Sequence, residues 1–473
     1  MLKQYQPPLS DDQIFLSSST EQITWGELHA NLDAKIERLK EHSIGPHVVF
    51  IIAEDNVTID DFLWILASIK NGGSASQADA TQSKTEIDNL IKCCKASCII
   101  RSNEIQMLND PKETGPTILH PNEIYRNMTS GTTAKEFFEM YPSFWDFKEH
   151  DEAIGVDGQT IVGCTTWSLN GHLLAVAPEF TKDKRPYVLG TPRLTATYNP
   201  YNLLRMYQVG GGFHILNSGD NVPEEIKRVK PNICISYPNA VKRVVDSCPE
   251  DFNWTGIDYW EFAGGHTPET IVRNIEKKFK FKALYNVMAS TEADCHTRAV
   301  YKPGDPIKNF YGFRETIHNG ELKLDEKGVL WYKYGTLDWM TDGDKLRDED
   351  GIWYYEGRVF DDVIFMKSGV KVYTGLIEAV ALEVSGVKNV ASCEKDELHY
   401  LLYTGTANAN DVANHFINTI QEYKQPHYIF HVTEPLFFSG HIKVQKRKLP
   451  DIVNNASVDQ IISKVIVKHH SKV

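Results

Sequence analysis

At 473 residues the chain is too long for one ordinary hydrophobic core and implies two or three domains. Hydrophobic residues at 41% and charged residues at 24% suit a protein that buries sizeable cores, and a formal net charge of -13 argues against nucleic acid or an anionic membrane as the main partner. No apolar run reaches the length of a membrane span, MLKQYQPPLSDD lacks the apolar core of a secretion signal, and the eight cysteines contain no CxxC pair, so free thiols in a cytoplasmic protein are the expectation.

In chain order, Ile23 to Leu39 places Trp25, Leu28, Leu32, Ile36 and Leu39 at helical intervals, the pattern of an amphipathic helix on a core. Val48–Ile52 reads as a short buried strand, Phe62–Lys70 as a helix, Gly72-Gly73 as a break, Lys84–Cys94 as a helix and Ser97–Arg101 as a strand. This alternation predicts an α/β fold with helices on the faces of a sheet. Thr129-Ser130-Gly131-Thr132-Thr133 follows, a run whose backbone N–H groups and hydroxyls can wrap a phosphate chain; met alone, such a run is more often a plain loop. Val209-Gly-Gly-Gly-Phe213 reads as a close-packed turn before a strand, and Pro231–Pro238 as a strand leading to a helix. Gly264 and Gly265 let a backbone approach a flat ligand closely, His266 beside them is given no proton-transfer role, and a helix runs from there through Phe279. Thr291-Glu292 offers a carboxylate of the kind magnesium takes.

The densest stretch is Thr341 to Glu378. Asp350-Gly351 is a hairpin signal, Ile352–Tyr355 a strand closed by Gly357-Arg358, Val363–Met366 and Val370–Tyr373 two further strands, and Leu376–Ser385 a helix stopped by Gly386. A calcium loop is excluded by spacing: with Gly351 sixth, the first and twelfth positions fall on Leu346 and Gly357, where carboxylates are required. An ionised Asp344 at a turn can instead accept both hydroxyls of a ribose, and Arg358 can fork onto a phosphate. Beyond Phe360 come a hairpin, a helix, the strand His399–Tyr403, a helix to about Tyr423, the strand Ile429–Val432 and a basic cluster around Lys443 and Lys446.

Thr341-Asp342-Gly343-Asp344, Gly357-Arg358, Asp361-Asp362 and Gly369-x-x-Val372 through Ile377-Glu378 resemble the ribose-binding and hinge motifs of the adenylate-forming superfamily, which comprises acyl-CoA synthetases, luciferases and the adenylation domains of peptide synthetases. The resemblance extends along the chain. Thr24-Trp-Gly-Glu27-Leu28 matches the family's helix start, Thr129–Thr133 its phosphate loop, Thr291-Glu292 its Thr-Glu pair, Tyr423-Lys424-Gln425-Pro426 its Tyr-Lys-x-Pro turn, and Ser439-Gly440 with Lys443-x-x-Lys446-x-x-Leu449 its closing motif. Gly369-Val-Lys-Val372 and the compact length resemble aryl-acid and succinylbenzoate ligases in particular. The chain departs from the pattern at Ala134, where a glycine is usual, at Gln159, where a lysine is usual, at Met288, where the aromatic that stacks on adenine is lost, and at Phe360 in the hinge. Lys135 to Asp157 is an aromatic-rich excursion, read as a flap, a docking surface or a self-packed loop extension.

What the resemblance implies is an α/β fold with a large N-terminal domain, residues 1–359, of several subdomains with mixed sheets flanked by helices, and a small mobile α+β domain, residues 360–473, that caps it. It implies activation of a small carboxylic acid by ATP to an acyl-adenylate, then transfer to a thiol, either coenzyme A or the phosphopantetheine of an acyl or peptidyl carrier protein. ATP would be held by Thr129, Ser130, Gly131, Thr132, Thr133, Gly264, Gly265, His266, Thr291 and Asp344, and Mg2+ by Glu292. Tyr198 and Gly265 would line the acyl pocket, Phe360 and Asp361 form the hinge, and Arg358 and Lys443 act in catalysis, with Lys446 as rival to Lys443. A second reading follows from the departures: a nucleotide-binding relative without catalysis, acting as scaffold or regulator.

Overall fold

The computed structural model describes residues 8–54, 57–79, 87–88, 91–92, 94–118, 125–127, 162–163, 185–190, 198–217, 219–263, 267–290, 294–316, 320–334, 339, 341, 343–358, 363–365, 371–395, 398–420, 425–438, 449–457 and 460–467. Local sequence explains the first elements. Helix Trp25–Glu41 starts where the Thr24 hydroxyl accepts the Glu27 N–H while the Glu27 carboxylate takes the Thr24 N–H at 2.8 Å, a reciprocal cap, and it buries Trp25, Leu28, Leu32, Ile36 and Leu39. Thr58 and Asp61 repeat the device for helix Ile59–Lys70, which therefore begins ahead of the expected Phe62. Strand Val48–Ala53 is buried throughout and lies between Ser74–Asp79 and Cys98–Arg101, parallel to both, with Glu104–Met107 antiparallel at the edge.

The main sheet has nine strands. Ile14–Ser17, Gly212–His214, Tyr187–Leu189, Ile233–Ser236, Tyr259–Phe262 and Ala283–Ser290 run parallel in that spatial order. Asp294–Tyr301 and Glu315–Thr316 add antiparallel strands at one edge and Gln22–Thr24 at the other. From Tyr187–Leu189 the chain goes first to one neighbour, Gly212–His214, and then to the other, Ile233–Ser236, so the connections leave in opposite directions beyond the carboxyl end of Leu189. Such a switch point opens a crevice in α/β sheets. One face of the sheet shares its core with the first two helices through Trp25, Trp64, Leu203, Phe213 and Val287. The other is covered by helices Val222–Val229, Pro238–Asp246 and Glu269–Lys278 through Ile226, Val241 and Ile275.

A small β region follows, with Gly312–Phe313, Asp344–Glu349 and Ile352–Arg358 in one three-stranded sheet and Gly320–Leu324 paired with Leu330–Tyr334. Last comes a four-stranded sheet, Val387–Lys395, Leu398–Gly405, Tyr428–Val432 and Ile461–Ile466. Helices Thr374–Leu382 and Ala409–Thr419 pack one face through Ile377, Val412 and Phe416, while Leu436, Phe437 and Leu449 cover the other. Mixed sheets flanked by helices, with a separate small sheet-rich region at the C-terminal end, are thus the architecture expected from the sequence. Two strands of the last sheet went unforeseen. Val387–Lys395 is broken by Lys388, Asn389, Ser392 and Glu394, so it shows no clean apolar run, and Ile461–Ile466 lies past the last motif read. The expected helix Lys84–Cys94 lies mostly outside the described residues, although 87–88 and 91–92 are helical. Burial pushes the thiols of Cys98 and Cys234 up to about 12, which keeps them inert. Among the described residues no helix is long and apolar enough to cross a membrane.

One buried polar chain ties three parallel strands together. The Ser17 hydroxyl sits 2.6 Å from the Tyr187 hydroxyl and 2.7 Å from His214 Nδ1, and His214 Nε2 lies 3.2 Å from Glu225, which pairs with Arg228. Burial drives the His214 imidazole down from 6.5 to about 4, against the pull of Glu225, so it is neutral at pH 7. A lowered folded value means that the unfolded chain binds the proton first. Stability is therefore complete above 6.5 and is lost as pH falls towards 4, by on the order of 3 kcal/mol. Urea unfolding between pH 7.5 and 4.5 should show a steeper acid decline in the native protein than in His214→Gln; parallel curves would exonerate His214.

Candidate functional site

The Asp344 hairpin is built by its turn. Asp350 and Gly351 both take positive φ, 56° and 80°, the combination that matches the twist of two antiparallel strands. Asp348 locks the turn by accepting the Gly351 N–H at 2.8 Å and the Trp353 indole N–H at 3.0 Å. Along the ladder Asp344 stands directly opposite Arg358, and Lys345 opposite Gly357. The register then slips by one at Glu356, whose carboxylate contacts Lys345 at 3.1 Å and Arg347 at 3.3 Å. Bulges of this kind re-aim the residues beside them.

Asp344 is only 5% exposed, unusual for an aspartate at a strand start. It alternates with buried Leu346, so both lie on the face turned to the core. Leu346 joins Leu330, Phe313, Met288 and Ala299 in one apolar cluster, which locks the hairpin onto strands Ala283–Ser290 and Asp294–Tyr301 of the main sheet. Met288 is itself 7% exposed, its thioether spent on this contact. Gly328 admits the close approach: it has φ 77°, and a Cβ there would meet the Leu346 carbonyl oxygen at 2.6 Å. The entry to Asp344 is held by Thr341, whose hydroxyl donates to the Leu330 carbonyl at 2.6 Å and accepts the Gly343 N–H at 3.0 Å.

Two of the expected segments follow directly on the carboxyl ends of neighbouring parallel strands. Ala263, after Tyr259–Phe262, precedes Gly264, Gly265 and His266, and Ser290 precedes Thr291 and Glu292 on the neighbouring strand; these five residues lie outside the described ones. Tyr198 opens helix Tyr198–Val209, its side chain undescribed, as is that of Arg358. Thr129, Ser130, Gly131, Thr132, Thr133, Phe360, Asp361, Lys443 and Lys446 also lie outside the described residues. Strand Arg126–Asn127, just before the phosphate run, pairs antiparallel with Val162–Gly163, so the chain returns to the same place after the excursion.

Two features had no signal in the sequence. The Tyr311 hydroxyl donates to the Thr267 carbonyl at 2.8 Å and the Asn286 side chain to the Phe310 carbonyl at 3.0 Å, bracing the segment just after His266. Burial raises the Tyr311 hydroxyl above its ordinary value, so it stays a donor. Two turns below Tyr198, Arg205 lies 3.2 Å from Asn202 and 3.6 Å from Glu261, all buried. The Tyr311–Thr267 and Arg205–Glu261 contacts join residues that the linear pattern leaves unrelated.

No family model matches the chain, and no curated protein matches it. Solved structures do. The o-succinylbenzoate-CoA synthetase of Bacillus subtilis in complex with its acyl-adenylate superposes with a TM-score of 0.68 at 15% identity, over 93% of this chain and 96% of that one. The same enzyme with ATP and magnesium gives 0.68 at 16%, over 94% and 98%. A four-domain nonribosomal peptide synthetase bound to AMP and glycine gives 0.66 at 17%, over 93% of this chain and 35% of that one. This chain has the fold of these proteins. Within that fold the Asp344 hairpin depends on the Thr341 turn, and Thr341→Val, which keeps the shape and removes both hydrogen bonds, should cost about 1–3 kcal/mol in urea unfolding.

Proposed function

We propose that the chain is an AMP-forming ligase that activates a small carboxylic acid with ATP and passes the acyl group to a thiol. The observation that supports this most is the buried Asp344 placed opposite Arg358 in the register of one hairpin, in a fold matched over 93% of the chain by an enzyme solved with its acyl-adenylate. Asp344 would accept the two ribose hydroxyls of ATP, and Arg358 would pair with its phosphate region. The N–H and hydroxyl groups of Thr129–Thr133 would hold the β- and γ-phosphates, with Gly264, Gly265, His266 and Thr291 along the adenine and α-phosphate. A carboxylate at Glu292 suits a hard cation, and magnesium held there would neutralise phosphate charge.

In the first step a carboxylate oxygen of the acid attacks the α-phosphorus, the bond to the β-phosphate oxygen breaks, and pyrophosphate leaves with that electron pair. In the second the sulfur of a thiol attacks the acyl carbon, AMP leaves, and the thiol proton passes to solvent. No protein nucleophile is needed, since alignment and charge neutralisation carry the step. Lys443 on the segment 360–473 would bridge the carboxylate and the developing phosphorane, and a rotation near Phe360 and Asp361 would then admit the thiol.

Hydroxamate formation from ATP, hydroxylamine and a panel of acids is the direct test, and AMP release with coenzyme A against a phosphopantetheinylated carrier protein identifies the acceptor. Nucleotide binding with no hydroxamate from any acid would favour the scaffold reading. Given an active acid, Lys443→Ala should slow pyrophosphate exchange by about 100- to 1,000-fold. Asp344→Asn should raise KM for ATP by roughly 10- to 100-fold while leaving KM for the acid in place. An unchanged ATP dependence in Asp344→Asn would remove Asp344 from the nucleotide site.

A further inference from the structure

The C-terminal sheet ends on strand Ile461–Ile466, which pairs antiparallel with Tyr428–Val432; among the described residues nothing pairs with its outer side. The Val467 N–H donates inward to the His427 carbonyl at 3.1 Å. By the alternation of an antiparallel ladder, Val465 and Ser463 also turn inward, and the backbone groups of Lys464 and Ile466 face out. Side chains alternate in the perpendicular sense. Val465 and Val467 pack on the core beside helix Ala409–Thr419, whereas Ile462, Lys464 and Ile466 are exposed, the two isoleucines by 56% and 62%. Lys464 lies over the rings of Tyr428 at 4.7 Å and Phe430 at 5.1 Å, and Tyr400 stacks on Tyr428 at 5.3 Å. The outer strand thus exposes Ile466 beside Lys464, with Tyr428 and Phe430 of the next strand under the cation and Ile462 at the register shift beyond it.

Charge agrees: in a chain of net charge -13, the one charged side chain of strand Ile461–Ile466 is the exposed cation of Lys464. We propose that this edge takes up an extended, acidic segment of a partner protein as a fifth strand, with main-chain hydrogen bonds to Lys464 and Ile466, apolar side chains against Ile462 and Ile466, and carboxylates facing Lys464. A strand answers the outward N–H and C=O groups, which a hydrocarbon surface would leave unsatisfied. A second copy would set one Lys464 segment against another, cation on cation. The proposal is independent of the acid-activation reading.

The test uses the full chain and two fluorescein-labelled octapeptides, one alternating glutamate with valine and one alternating lysine with valine, followed by anisotropy. The acidic peptide should bind saturably, at least about tenfold tighter than the basic one. Lys464→Pro removes an outward N–H without touching the inward ladder and should weaken acidic-peptide binding by about tenfold. Lys464→Glu should reverse the preference between the peptides, and thermal unfolding checks that each variant is folded. Failure of the native chain to bind the acidic peptide, equal binding of both, or binding unaffected by Lys464→Glu overturns the proposal. So does sedimentation with phosphatidylserine vesicles in place of peptide binding, or a dimer in sedimentation velocity that Ile466→Glu dissociates.

Discussion

The arrangement rests on an apolar contact rather than a charged one. Leu346 and Leu330 meet Met288, Ala299 and Phe313 where the small β region touches the main sheet. That contact fixes the height and angle of a hairpin whose first residue is Asp344. A carboxylate that rotates freely in water makes a poor receptor, because ordering it on binding costs entropy. Here the ordering is done on folding, by the burial of Leu346 two residues on, and the Glu356 bulge with the Thr341 turn supplies the final aim.

Much of this was legible where the determinants are close in sequence. Asp350-Gly351 announced the hairpin because few residue pairs accept positive φ twice in succession. Helix Trp25–Glu41 showed in its spacing; Gly386 does take a positive φ, 89°, but in the turn into strand Val387–Lys395, because the helix expected to reach Ser385 ends at Leu382. What failed were determinants that lie outside an element's own apolar pattern. The start of helix Ile59–Lys70 is set by Thr58 and Asp61, polar residues that an apolar-period reading passes over. Strand Val387–Lys395 is selected by its partner Leu398–Gly405, and its own alternation is weak. The Tyr311 brace spans 44 residues, and no local pattern encodes it.

Met288 shows how one position can serve two readings. In sequence it is a departure, a missing aromatic beside an adenine site. In the fold it is a load carried between two sheets, buried against Leu330 and Leu346. That burial leaves the hairpin in place, with Asp344 opposite Arg358 in its register. The buried Arg205, Asn202 and Glu261 beneath Tyr198 carry a related lesson: charge placed inside an α/β core must be matched there, and Glu261 of strand Tyr259–Phe262 supplies the opposite charge while Asn202, one turn away on the helix, accepts a hydrogen bond.

The pairing of Asn127 with Val162 means that everything between them is a closed detour whose two ends are neighbours. Lengthening such a detour is inexpensive, with each doubling adding only about 0.6 kcal/mol of closure entropy. The excursion Lys135 to Asp157, downstream of the proposed phosphate run, is therefore extra length that the frame accepts at little entropic cost.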